Sequence, residues 1–257
     1  MKNKVFKSFD EAVADIPDGA SIAAECWGTT AMAQNLIEAL KKQGAKDLTL
    51  ITHNFLPTVL KIEGLPGANL ADLLPQMKKI ITPVVGLQQL GAGAFVKDYV
   101  EKGLQVELTS HGTLASRLYA GAASLGGIYN PVGVGTILEE GKEKRVIDGR
   151  EYLFEKPIKP DYAFIRAHKA DPYGNLVYLG VYRADQPIMA MAAKCTIAEV
   201  DEIVELGGID PEHVITPGIF VDRIVKAPED SPGGLKTVKT LISKLAEIDF
   251  IRKLLFK

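Results

Sequence analysis

Cysteine is scarce in this chain, tryptophan scarcer still, and no stretch stays apolar for long. Cys26 and Cys195 are the only cysteines among 257 residues, too few for a disulfide framework and in keeping with a reducing cytoplasm. No apolar run approaches the ~20 residues that a membrane-spanning helix needs. The start, Met1 to Lys7, is basic but has neither the apolar core nor the cleavage site of a signal peptide. Basic excess is missing too: 30 Lys and Arg stand against 32 Asp and Glu, so there is no electrostatic footprint for nucleic acid or a membrane surface. The chain holds no Gly-x-Gly-x-x-Gly fingerprint, no phosphate-binding P-loop and no Gly-x-Ser-x-Gly elbow, which argues against dehydrogenase, kinase and α/β-hydrolase readings. His53, His111, His168 and His213 are far apart and lack metal-ligand spacing with either cysteine, so no metal site is expected.

What is present reads as a soluble, cytoplasmic α/β protein. Asp10 to Ile16 reads as a short helix, and Ser21 to Ala24 as a short buried strand. A loop from Glu25 to Thr30 leads into a helix over Ala31 to Lys42, where Met32, Leu36 and Leu40 repeat at helical spacing and Gly44 supplies the C-cap. Leu48 to Thr52 is the next strand. Strand, helix and strand in that order form a βαβ unit and imply a parallel sheet. The pattern continues with helix over Leu70 to Met77, an extended segment over Lys79 to Val85, helix over Phe95 to Lys102, strand over Val106 to Thr109 and helix over Thr113 to Tyr119. Pro83 should push its strand toward an edge or a bend. Parallel strands resume at Tyr162 to Ala167 and Cys195 to Val200. Residues 1–228 are read as one domain. Residues 229–257 are read as a C-terminal extension, helical and amphipathic from Leu235 onward, with Val238, Leu241, Leu245 and Ile248 in one stripe.

The densest signal lies in the middle. Glycines and a proline crowd Gly126 to Gly135, which rules out a regular helix or strand and predicts a loop whose backbone approaches something closely. Beyond it, Asp148-Gly149 between two apolar runs is a strong hairpin signal, an excursion from the sheet.

Taken in order, Gly112-Thr113-Leu114-Ala115, Leu125-Gly126-Gly127, Pro131-Val132-Gly133-Val134-Gly135-Thr136, Glu155-Lys156-Pro157, Ile165-Arg166-Ala167, Lys169-Ala170-Asp171, Gly174-Asn175-Leu176 and Pro187-Ile188-Met189-Ala190 resemble the A (alpha) subunit of the family I CoA-transferases, closest to the acetate/acetoacetyl-CoA type. The likeness runs from about Leu108 to about Val225 and continues more weakly toward the N-terminus. It implies half of an enzyme that moves CoA between a short-chain acyl or 3-oxoacyl thioester and a free carboxylate, with CoA as substrate and no resident cofactor. The attacking glutamate would belong to a partner B subunit, in a Glu-Asn-Gly-like motif that this chain lacks, so no residue here is expected to be the nucleophile.

By the same resemblance, Glu25, Cys26, Trp27, Gly28, Thr29, Thr30 and Ala31 occupy the loop implicated in CoA binding. There the chain departs from the family, with Glu25-Cys26-Trp27 standing for Gly-Gly-Phe and Ala31-Met32-Ala33 for Gly-x-Pro. His53, Asn54, Gly126, Gly127, Asn130 and Gly133 are candidates for the substrate pocket, where a free amide could act as an oxyanion donor. A third stretch, Tyr182-Arg183-Ala184-Asp185-Gln186-Pro187, stands where the family usually reads Ala-Arg-Asn-Phe-Asn-Pro. The departures keep two alternatives open: a CoA-dependent hydrolase or lyase on the same fold, and a non-catalytic CoA-binding or scaffold subunit.

Overall fold

The central strands are short, apolar and rich in alanine and isoleucine because both of their faces are covered, as a parallel sheet requires. A computed structural model describes residues 3–25, 32–55, 70–85, 94–229 and 231. In chain order the helices are α1 (Phe9–Val13), α2 (Gln34–Gln43), α3 (Ala94–Glu101), α4 (His111–Ala122) and α5 (Gln186–Ala192). The strands are β1 (Ser21–Ala24), β2 (Leu48–Ile51), β3 (Met77–Thr82), β4 (Gln105–Leu108), β5 (Ile128–Asn130), β6 (Lys144–Ile147), β7 (Arg150–Glu155), β8 (Tyr162–Ala170), β9 (Leu176–Val177), β10 (Cys195–Ile203) and β11 (Arg223–Lys226).

The main sheet runs β11-β10-β8-β1-β2-β3-β4, all parallel, with β9 folded back antiparallel on β8. Alternate side chains enter two separate cores. On one face Ile22, Leu50, Ile80 and Phe164 pack with Leu36, Ile37 and Leu40 of α2. On the other, Ala23, Ile51, Ile81 and Ile165 meet Leu114 and Leu118 of α4 and Ile188 and Met189 of α5. Helices on both faces of a parallel sheet place the strands' carboxyl ends along one edge, where the connecting loops can gather a site.

Two readings hold in a particular form and one boundary moves. Pro83 sits in a bend just past the end of β3, one of the two outcomes expected of it, while β3 itself is paired on both sides. The helix read over Leu70 to Met77 is a 3-10 helix, Leu70–Gln76, with Pro75 inside it. Helix α2 begins at Gln34, later than the apolar spacing suggests, because the Asn35 and Leu36 amides are claimed by the Glu199 carboxylate of β10. The hairpin is as expected. Strands β6 and β7 pair antiparallel across Asp148 (φ 49°) and Gly149 (φ 77°), and with β5 they form a separate three-stranded sheet. The segment read as a C-terminal helix lies outside the described residues.

Candidate functional site at the carboxyl edge of the sheet

Each parallel strand hands over its first loop residue at the same edge. Glu25 follows β1 directly and is 1% exposed. His53 follows β2 by two residues and is equally buried. Ser110 caps α4 just beyond β4, its hydroxyl accepting from the Thr113 amide, so that His111 opens the helix at the same edge. Asp185 precedes α5, yet its side chain makes no capping bond to that helix.

Instead these groups meet. His53 Nε2 lies 2.9 Å from Asp185 Oδ2, and Nδ1 lies 3.9 Å from Glu25 Oε2. The Asp185 amide donates to Glu25 Oε2 at 3.3 Å, which fixes that carboxylate. The His53 and His111 rings stack with centroids 6.0 Å apart and planes 8° from parallel. Burial pushes the His53 imidazole below its usual value. The Asp185 carboxylate pulls it up and His111 pushes it down, and the net shift is downward, so the ring is neutral at physiological pH. Helix α4 then links this cluster to the second candidate group, because Asn130 Nδ2 on β5 donates to Thr113 Oγ1 at 3.3 Å.

The glycine loop is organised differently from an open anion cradle. The Val132 amide donates to Asn130 Oδ1, Val134 to the Pro131 carbonyl, Gly135 to Glu139 Oε2 and Thr136 to the Gly133 carbonyl. These amides are engaged within the loop itself. Gly127 is small for packing reasons: a Cβ there would sit 2.2 Å from the Phe154 ring. Gly133 adopts φ 93° with Leu138 pressed against it, whereas Gly126 is exposed with open space around it. Asn54 is half-buried beside His53, its carbonyl accepting from Thr52 Oγ1. Cys26, Trp27, Gly28, Thr29, Thr30 and Ala31 lie outside the described residues.

Under the N-terminus of α2 is a buried charge cluster. Arg166 of β8 is fully buried and pairs with Glu199 and Asp201 of β10, while His168 Nδ1 lies 3.2 Å from Asp201. Glu199 also accepts from the Asn35 amide at 3.0 Å and side chain at 2.6 Å, and Gln186 of α5 accepts from the Arg166 amide. These bonds join β8, β10, α2 and α5, holding the edge on which Glu25, His53 and Asp185 sit.

A cleft of about 760 Å³ opens elsewhere, against the amino-terminal half of the sheet, between Thr49, Lys79 and Glu107 on one wall and Lys142, Glu155 and Pro157 on the other. Several of its charges pair with one another: Glu107 with Lys79 and Arg117 at 2.6 Å each, and Lys142 with Glu155. The carboxyl edge, where Glu25 and His53 are buried and converge with Asp185, is the candidate site.

The model of the coenzyme A transferase family matches residues 6–227. The chain belongs to this family. It is 43% identical over 227 residues to the A subunit of the 3-oxoadipate CoA-transferase of Pseudomonas putida, covering 88% of this chain and 94% of that one. Among solved structures, the acyl-CoA transferase YdiF of Escherichia coli O157:H7 superposes with a TM-score of 0.76 over 92% of this chain at 24% identity, a likeness of fold. This chain spans about half, 49%, of that longer one. The decarboxylase AibA/AibB superposes with a TM-score of 0.73 at 28% identity, covering 100% of both chains. Among the described residues of this family member no helix is long and apolar enough to cross a membrane.

Asp185 is the residue that the sequence pattern failed to single out. It lies 160 positions from Glu25, in a stretch noted only for its departure from the family's text, and nothing local ties it to His53. The signal was available in paired form. By the resemblance, Glu25 stands where the family usually has glycine and Asp185 where it usually has phenylalanine, and the fold puts these two carboxylates on either side of one imidazole.

Proposed function

We propose that this chain is the A subunit of a cytoplasmic acyl-CoA:carboxylate CoA-transferase. Paired with a B subunit, it moves CoA between a short-chain acyl or 3-oxoacyl thioester and a free acid. The observation that carries this reading is the 43% identity along nearly the whole length of the corresponding half of a 3-oxoadipate CoA-transferase. The reaction needs a carboxylate nucleophile on the partner, which attacks the thioester and forms first an acyl anhydride and then a glutamyl-CoA thioester, splitting one hard step into two. This chain supplies the pocket: the Glu25 to Ala31 loop toward CoA, and His53, Asn54, Gly126, Gly127, Asn130 and Gly133 toward the acyl group. Residues 1–228 form the transferase domain and 229–257 an extension, a division supported by the extent of the family match. Coenzyme A is substrate and product. The test is steady-state kinetics on the chain purified with its neighbouring-gene partner: ping-pong kinetics are expected, and sequential kinetics would contradict the reading.

One observation favours a second reading, a CoA-dependent hydrolase or lyase. The end-to-end likeness to a decarboxylase accompanies a pocket with two extra carboxylates. Release of free acid or cleaved product without any carboxylate acceptor would establish it.

A further inference from the structure

Of the two carboxylates beside His53, only one is open to solvent. The Glu25 side chain is fully buried, whereas that of Asp185 is 30% exposed. Asp185 Oδ2 lies 2.9 Å from His53 Nε2, at the other ring nitrogen from the one that faces Glu25. Burial keeps that ring neutral, so it brings Asp185 a dipole and not a counter-charge. No lysine or arginine pairs with Asp185 among the described residues. Arg183, two positions earlier, is exposed and forms no ion pair with it, and Arg166 is committed to Glu199 and Asp201. The Asp185 side chain forms no capping bond with α5 either.

We propose that Asp185 sets the acyl selectivity of this chain, admitting acyl groups with an uncharged tail and turning away those that end in a second carboxylate. This selectivity rests on the transferase reading, in which His53 and Asn130 face the acyl group. An uncharged tail loses nothing beside Asp185. A tail packed against His53 would put a terminal carboxylate within roughly 8 Å of Asp185, where like charges at an effective dielectric of about 20 weaken binding by about 10-fold or more. No fixed cation offsets that repulsion among the described residues. The Asn130 amide already donates to Thr113 Oγ1, and a neutral amide holds a carboxylate less strongly than a guanidinium would. Discrimination of this kind works by repelling the wrong substrate and asks for no extra contact with the right one.

The experiment uses the full chain co-purified with its partner subunit and two unreactive thioethers of similar tail length, S-butyl-CoA and S-(3-carboxypropyl)-CoA. Calorimetry should show the wild type binding the butyl analogue about 10-fold or more tightly than the carboxypropyl one. Asp185→Asn, which keeps the shape and removes the charge, should narrow that ratio by about 10-fold, and Asp185→Glu should preserve it. A thermal melt first establishes that each variant folds, and Asp185→Ser takes the place of Asp185→Asn if the latter does not. Because the analogues do not react, the result is independent of turnover. Failure of the transferase reading would show separately, as no transfer of CoA between any acyl thioester and acid by a pair that binds the analogues selectively. Equal affinity of the wild type for the two analogues, failure to bind either, or a ratio unmoved in the folded neutral variant overturns the proposal.

Discussion

Arg166 ties together two strands and, through Glu199, the start of α2. Its guanidinium compensates two carboxylates in the interior, and one of those, Glu199, in turn accepts the first amides of α2. Arg166→Ala leaves both acids buried and should lower unfolding stability by roughly 3–5 kcal/mol, measured by chemical denaturation. Arg166→Lys should not restore it, since a single ammonium cannot bridge two acids as a planar guanidinium does. Cys195 makes the opposite point. Burial pushes its thiol up to about 11, so it is almost wholly protonated at neutral pH. Mass spectrometry after iodoacetamide treatment near neutral pH should find Cys195 unmodified while the chain is folded. At this scale the sequence was legible where a residue acts alone and illegible where it acts in company. Glu25 and His53 stood out because each follows a strand. Asp185 joins them only through the crossover that returns α5 to the sheet.

Local chemistry explains why most elements could be read directly. Ser21 to Ala24 is a strand in sequence and in structure because the apolar triplet Ile22-Ala23-Ala24, between a turn and a polar residue, is buried on both faces of the sheet. Gly44 ends α2 at φ 87°, a conformation that costs glycine least. The Gly126 to Gly135 stretch was read as having no regular strand, yet Ile128–Asn130 pairs with β7 as strand β5, and the close approach made there, at Gly127, is to the chain's own hairpin. Gly127→Ala should therefore cost roughly 1–3 kcal/mol by driving a methyl into Phe154. Gly126→Ala, with open space around it, should be near neutral, and thermal melts of the two variants check the contrast. Strand pairing also sets a pH dependence. Burial pushes the Glu107 carboxyl on β4 up, but Lys79 and Arg117 together hold it below the usual carboxylate range. A depressed carboxyl stabilises the fold above its unfolded pKa, and that contribution is lost as pH falls through the folded value. Glu107→Gln should thus lower stability at neutral pH by about 1 kcal/mol or less, the group being a third exposed. The difference from wild type should shrink as pH falls below the ordinary carboxylate value and disappear once pH is below the depressed folded value.

For the molecule as a whole, the parallel sheet and its two cores bring Glu25, His53, His111 and Asp185 to one edge. The relatives of this chain are A (alpha) subunits, so the enzyme needs a second chain. The isolated A subunit should show no transferase activity, and mixing it with its partner should restore it. The deciding measurement is covalent trapping in the reconstituted pair: incubation with a short-chain 3-oxoacyl-CoA, reduction with borohydride and mapping of the modified residue by mass spectrometry. A reduced glutamate on the partner, with Glu25 unmodified, is the predicted result. Reduction at Glu25, or turnover to free acid with no glutamate trapped on either chain, would contradict it.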